Sequence, residues 1–164
     1  MPEALTIIDE SVRPKASVTE RLGARGEEIA ARALLDNGYR LVMRNFKVPV
    51  GRNSKGVQVT GEIDIIALEG DTICFVEVKA RSVTQYAQSC ETISSSKQKK
   101  IMKSALCFLN AEPQFQEFYC RFDVICFDFF QQFAKKIQQD FSKCPYDQQW
   151  IENAFTFDQE FINL

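Results

Sequence analysis

Residues 61–81 read GEIDIIALEGDTICFVEVKAR, and no other segment restricts the fold so tightly. Two β-rich runs, GEIDIIAL and DTICFVEVKAR, flank Glu69-Gly70-Asp71, a tight hairpin signal. The second run is apolar on both sides around CFV, as a central strand covered on both faces must be. It nevertheless carries Glu77 and Lys79, and the first run carries Glu62 and Asp64. Alternation puts Glu62 and Asp64 on one face, Ile63 and Ile65 on the other, and Glu77 with Lys79 together on the next strand. A turn on Gly70-Asp71 sets Asp64 opposite Glu77 and Glu62 opposite Lys79; a turn on Glu69-Gly70 sets Glu62 opposite Glu77. Cross-strand neighbours have Cβ atoms ~4.5–5.5 Å apart, so either register gathers three carboxylates and a lysine on one patch. Facing carboxylates held away from water repel, and one takes up a proton unless a cation sits between them. A hard divalent ion, Mg²⁺ or Mn²⁺, resolves that repulsion with oxygen ligands and water. The alternative is a solvated face of ordinary salt bridges.

The remaining chain supplies the frame. A length of 164 residues fits one domain. Residues 1–16, ending near Pro14, read as a flexible N-terminal arm, and residues 17–164 as a single domain. Ser17 and Glu20 stand at capping-box spacing before an apolar stripe of Leu22, Gly26, Ile29, Ala30, Ala33 and Leu34. Asn37-Gly38 is a helix stop. Tyr39 to Val50 reads as a strand, and Arg52 to Thr60 as a polar loop. Ser94 to Asn110 reads as a second helix, RFDVICFDFF as a strand, QQFAKKIQQDFSK as a short helix or loop, and WIENAF as a last short strand or turn. This order gives an α/β or α+β sandwich built on a mixed sheet.

Composition narrows the chemistry. The chain contains no histidine, which excludes imidazole general bases, Ser-His-Asp and Cys-His nucleophiles, and His-containing zinc sites. No apolar run approaches the ~20 residues of a membrane span, and the acidic N-terminus is not a secretory signal. Six cysteines without a C-x-x-C pair are expected to be reduced thiols of a cytoplasmic protein. Residues 11–103 hold 16 Lys or Arg against 10 Asp or Glu, whereas residues 104–164 hold four against nine. The basic first two thirds suits a polyanionic partner.

Asp64, then twelve residues, then Glu77-Val78-Lys79, resembles the D-x(n)-(D/E)-x-K signature of restriction-endonuclease-like nucleases. In order along the chain, RLGARGEEIA, GYRLVMRNF, GEIDIIA, FVEVKAR, KQKKI, RFDVICFD and IENAF resemble the motifs of the YraN-like family. That family is regarded as distantly related to archaeal Holliday junction resolvases. The resemblance spans roughly residues 20–156. It implies a three-layer α/β sandwich with a central mixed sheet of about five strands flanked by helices. It also implies an endonuclease dependent on Mg²⁺ or Mn²⁺ that acts on nucleic acid, DNA ahead of RNA with the choice left open by the sequence, and with branched or repair intermediates as candidate substrates. Asp64 and Glu77 would then be metal ligands, joined by Glu27 from the first helix, and Lys79 would orient water or offset charge in the transition state. Glu62 and Gln98 would support these groups, while Lys97, Lys99, Lys100, Lys103 and Arg81 would hold phosphates. The segments 47–60 and 129–149 look longer than the family's pattern, with consequences for substrate access or for a homodimer. The rival expectation is a non-catalytic nucleic-acid-binding or assembly protein that keeps this fold.

Overall fold

Ser17 starts the first helix as its spacing to Glu20 requires. Glu20 N–H donates to Ser17 Oγ at 3.2 Å, and Ser17 N–H donates to the Glu20 carboxylate at 3.3 Å. A cap of this kind is worth about 1 kcal/mol. The helix, α1 (Val18–Asp36), ends at Asn37, and Gly38 turns the chain at φ 85°. The computed structural model describes residues 17–83, 93–130 and 144–157. The expected arm (1–16) and the 131–143 excursion therefore lie outside the described residues.

After α1 come β1 (Arg40–Arg52), β2 (Gln58–Glu69), β3 (Thr72–Val83), α2 (Ser95–Ala111), a 3-10 turn (Pro113–Phe115), β4 (Tyr119–Phe130) and β5 (Tyr146–Phe155). The strands form one sheet in the order β1-β2-β3-β4-β5. Neighbours run antiparallel except β3 and β4, which are parallel and joined by the crossover through α2. One face packs on α1 through Leu22, Ala30, Leu34, Ile65, Val76 and Phe127; the other packs on α2 through Ile63, Phe75, Ile101, Phe108 and Phe122. This is the expected three-layer sandwich. As its composition required, β3 is the middle strand, with Ile73 to Val76 fully buried.

Four details differ from the sequence-based expectation. The polar stretch 52–60 is not an open loop: Asn53 Oδ1 accepts from Lys55 N–H at 2.9 Å and Val57 N–H at 3.0 Å. That side chain closes the turn, so strand pairing continues to Arg52–Gln58. WIENAF belongs to a ten-residue strand rather than a short one. The thiols are not all reduced: Cys126 is disulfide-bonded, with its partner outside the described residues, whereas Cys74, Cys107, Cys120 and Cys144 are free. Finally, Ile63 and Ile65 do not share a face, since Ile63 packs toward α2 and Ile65 toward α1. The cause lies on β1. Arg44 pairs with Ile65 and Phe46 with Ile63, while Asn45, opposite Asp64, sits at φ 53° and interrupts the alternation.

Glycines set the spacing of the layers. A Cβ at Gly26 would stand 3.0 Å from Ala80 Cβ and 3.3 Å from the Phe127 ring, so α1 rests directly on the sheet there. A Cβ at Gly61 would overlap Ser104 Oγ and stand 2.9 Å from Val50 Cγ1, beneath α2. Gly61→Ala is therefore expected to destabilise the fold by about 1–3 kcal/mol. Gly23 has open space around its Cβ position, so Gly23→Ala should stabilise the helix by up to about 1 kcal/mol. Urea titrations of both variants check this, and a neutral Gly61→Ala would contradict the close approach of α2.

Candidate active site

The Gly70-Asp71 turn sets the first of the two possible registers, with Ile65 paired to Val76 and Glu69 to Thr72. Pairing stops at Ile65–Val76. Beyond it β2 stays with β1, while β3 continues alongside β4 to Val83. The two strands therefore fork where the sequence places its carboxylates. Asp64 and Glu77 are not a ladder pair; instead Asp64 Oδ2 accepts from Val78 N–H at 2.8 Å. The carboxylate thus satisfies a backbone donor that the departing strand leaves without a β2 partner.

A cleft of about 370 Å³ occupies the fork, lined by Glu62, Asp64, Glu77, Ser94, Lys97 and Lys100, among others. Glu77 is buried, 6% exposed, and the Lys97 ammonium lies 2.6 Å from its Oε1. Burial raises the pKa of Asp64 and the Glu77 charge raises it further; the Val78 N–H opposes them, and Glu27 and Glu62 add to the rise. The result is a pKa of about 8. Burial alone would lower the pKa of Lys97, but its bond to Glu77 and the charges of Glu77, Asp64 and Glu62 outweigh that and raise it. Glu27 is half-buried on α1, whereas Glu28 is exposed and pairs with Arg25 at 3.6 Å. Burial raises the pKa of Glu27; Arg44 and Lys47 oppose the rise, and Glu62 and Glu77 add to it. All four carboxylates therefore share one electrostatic field. Among the described residues, no group of three His, Cys, Asp or Glu side chains is close enough to hold a metal ion together.

The other candidates are distributed around this centre. Lys79 follows Glu77 by two residues, so it shares that side of β3, and it is half-buried. Gln98 turns away from the carboxylates: its Nε2 donates to Ile93 O at 2.9 Å, and it lines a separate cleft with Lys99, Met102 and Phe157. The Arg81 guanidinium is ion-paired with Asp128 on β4. Lys99, Lys100 and Lys103 are exposed along α2. Lys97, also expected to contact phosphate, is ion-paired with Glu77 inside the cleft. A signal for this was present, because Lys97 precedes Ile101 by four residues and so begins the buried stripe Ile101–Ala105–Phe108.

Comparison with known proteins agrees with the motif blocks. The model of the family described as uncharacterised protein family UPF0102 matches residues 26–127. A UPF0102 protein of Acinetobacter baumannii strain AYE is 50% identical over 141 residues, 86% of this chain and 98% of the relative. This chain belongs to the UPF0102 family. A UPF0102 protein of Acinetobacter baylyi is 53% identical over 135 residues, covering 82% of this chain and 89% of the relative. One of Francisella tularensis is 40% identical over 138 residues, covering 84% and 96%. No helix among the described residues is long and apolar enough to cross a membrane.

The raised pKa of Asp64 has a direct consequence for metal-free UPF0102 protein. Between its ordinary value of 3.8 and about 8, the folded state keeps a proton that the unfolded state has released. Stability therefore falls as pH rises through this window, because the native state binds more protons than the unfolded one. Asp64→Asn should flatten that fall and be the more stable protein at pH 8. Denaturation curves in EDTA from pH 5 to 9 check it; a wild-type slope in the variant would show that Asp64 ionises normally.

Proposed function

We propose that this UPF0102 protein is a metal-dependent nuclease that hydrolyses phosphodiester bonds of DNA. The observation that carries this reading is the Asp64–Glu77 pair at the mouth of the strand fork, in a cleft that Lys97 and Lys100 also line. Carboxylates and lysines gathered in one cleft suit a bridging cation and a phosphate. The residues fit such a cation, since Mg²⁺ binds through one or two carboxylates and keeps its remaining ligands as water. Asp64 and Glu77 are the direct ligands in this reading, and Glu27 joins through water or movement of its side chain. A bound Mg²⁺ or Mn²⁺ supplies Lewis acidity and a water of lowered pKa.

The protein's own groups do the rest. With Glu77 serving as a metal ligand, Lys97 would be freed from its pair with that carboxylate and would be available to phosphate. Lys100 holds a flanking phosphate, and Lys79 neutralises charge that builds on the phosphorus oxygens. A non-catalytic binding protein is the second reading, favoured by the absence of a three-residue ligand group among the described residues.

Four measurements test these readings. Saturating Mg²⁺ or Mn²⁺ at 100 times its dissociation constant should raise stability by about 2.7 kcal/mol, and Asp64→Asn should abolish the gain. Lys97→Met removes a competitor for Glu77, so it should bind Mn²⁺ more tightly than wild type in calorimetry while binding DNA more weakly. Lys79→Ala should keep the ion but cleave on the order of 10²–10³ times more slowly. Wild-type protein that cleaves no four-way junction, flap, single strand or duplex with either ion would end the nuclease reading. Tight binding by that inert protein would establish the second.

A further inference from the structure

Beyond the fork, β1 and β2 continue with no third strand beside them among the described residues. From Lys47 to Thr60 no residue is buried, and both edges of the two-stranded ribbon are exposed. The ribbon is nevertheless rigidly built. Asn53 N–H donates to Val57 O at 2.9 Å and Gly56 N–H to Asn53 O at 2.9 Å, adding to the side-chain bonds of Asn53 that close the turn. Arg52 Nη1 donates to Gly56 O at 2.8 Å, which fixes its guanidinium at the tip. Every charge between Phe46 and Glu62 is positive: Lys47, Arg52 and Lys55. Lys47 is paired across the ladder with Glu62, so Arg52 and Lys55 carry the net charge of the tip. The base of the ribbon lies under α2, where Gly61 meets Ser104 and the Lys100 backbone, so the surface of the ribbon leads out from beneath the helix that carries Lys99, Lys100 and Lys103.

A second copy of this chain does not suit that surface. Pro49 removes a backbone donor from the β1 edge, the register shifts between Pro49 and Gly51, and the tips would meet with like charge. Proline, bulges and lysine are the features that keep an edge strand from pairing with another chain. A polyanion meets none of these obstacles. We propose that the 47–60 ribbon lies along a duplex DNA arm beside the reactive phosphate, making that arm part of the substrate. This rests on the nuclease reading of the adjoining cleft. A two-stranded ribbon fits the wide major groove of B-form DNA, whereas the major groove of A-form RNA is too narrow to be read. The five residues from Glu62 back to Gln58 span about 17 Å at ~3.3 Å per residue. At ~3.4 Å per base pair the ribbon tracks about five base pairs.

The test uses the full chain with Ca²⁺ in place of Mg²⁺ and fluorescent single strands extended by duplex arms of 0, 3, 6 and 12 base pairs. Affinity should rise with arm length and level off near six base pairs for DNA, with no such rise for RNA arms. In Arg52→Ser/Lys55→Ser the rise should disappear, and the log-log salt slope on the longest DNA arm should fall by about 1.8, at ~0.9 per lost phosphate contact. Lys55→Ser alone, whose side chain carries no bond in the turn, should lose about half of that and guards against a misfolded tip. Wild type that gains with arm length while both variants keep its slope would overturn the ribbon proposal and leave the nuclease reading intact. An equal gain on RNA arms would overturn the groove assignment. A dimer that the double variant dissociates without changing DNA binding would assign the ribbon to self-association instead. Wild-type protein that binds none of these probes overturns both readings together.

Discussion

Strand β3 cannot stay paired with both of its neighbours along its whole length, and the site follows from that constraint. Its twelve-residue parallel register with β4 runs from Thr72 to Val83, while its antiparallel pairing with β2 ends after Val76. Where β2 leaves, the strand interior opens and backbone donors lose their partners. Leaving such a donor buried and unpaired costs about 1–3 kcal/mol. Asp64 answers one of them by accepting from Val78 N–H. The carboxylate is therefore held by the architecture as well as by its chemistry. Its neighbours Glu77 and Lys97, paired with each other at 2.6 Å, then complete the cleft.

At the other end of the sheet, a second polar cluster closes the structure. Asp123 is fully buried and accepts from Arg121 Nε at 2.9 Å, Trp150 Nε1 at 2.9 Å and Asn153 N–H at 2.9 Å. Arg121 also reaches Tyr39 at the start of β1 and Glu69 at the end of β2. Three strands and the entry to a fourth are thus tied by one satisfied network, in which losing a single partner is expensive. The two ends of the sheet contrast. Here every buried charge has its partners within the fold, whereas at the fork burial, and then the charge of Glu77, lift the pKa of Asp64 to about 8.

The sequence carried the periodic features well because they depend on single elements. The Ser17–Glu20 box, the β2–β3 hairpin and the burial of β3 follow from local spacing, and the structure has all three; local spacing left two registers for that hairpin, and the structure takes the one that turns on Gly70-Asp71. What escaped depends on two elements at once. The break in alternation at Asp64 comes from Asn45 on another strand, whose positive φ leaves no mark in the GEIDIIAL run. Arg81 and Asp128 are 47 residues apart and meet only because β3 and β4 align in parallel. Gln98 lies near the start of α2 as its spacing predicts, yet its side chain bonds Ile93 O and lines a cleft separate from the carboxylates. The length of the hairpin was missed because Asn53 reads as a loop residue, although here its side chain is what closes a tight turn.

The order in which the chain assembles is set by the same parallel pair. β1, β2 and β3 form a meander of neighbours in sequence, so their contacts close small loops. Joining β3 to β4 closes a loop of 47 residues, the separation of Cys74 and Arg121, and such long-range pairings form late and slowly. Until then β3 has a bare edge on the side opposite β2, and the fork, which exists because β3 follows β4 where β2 departs, has not formed. The carboxylates of the cleft are therefore set in place by the same closure that brings β4 alongside β3.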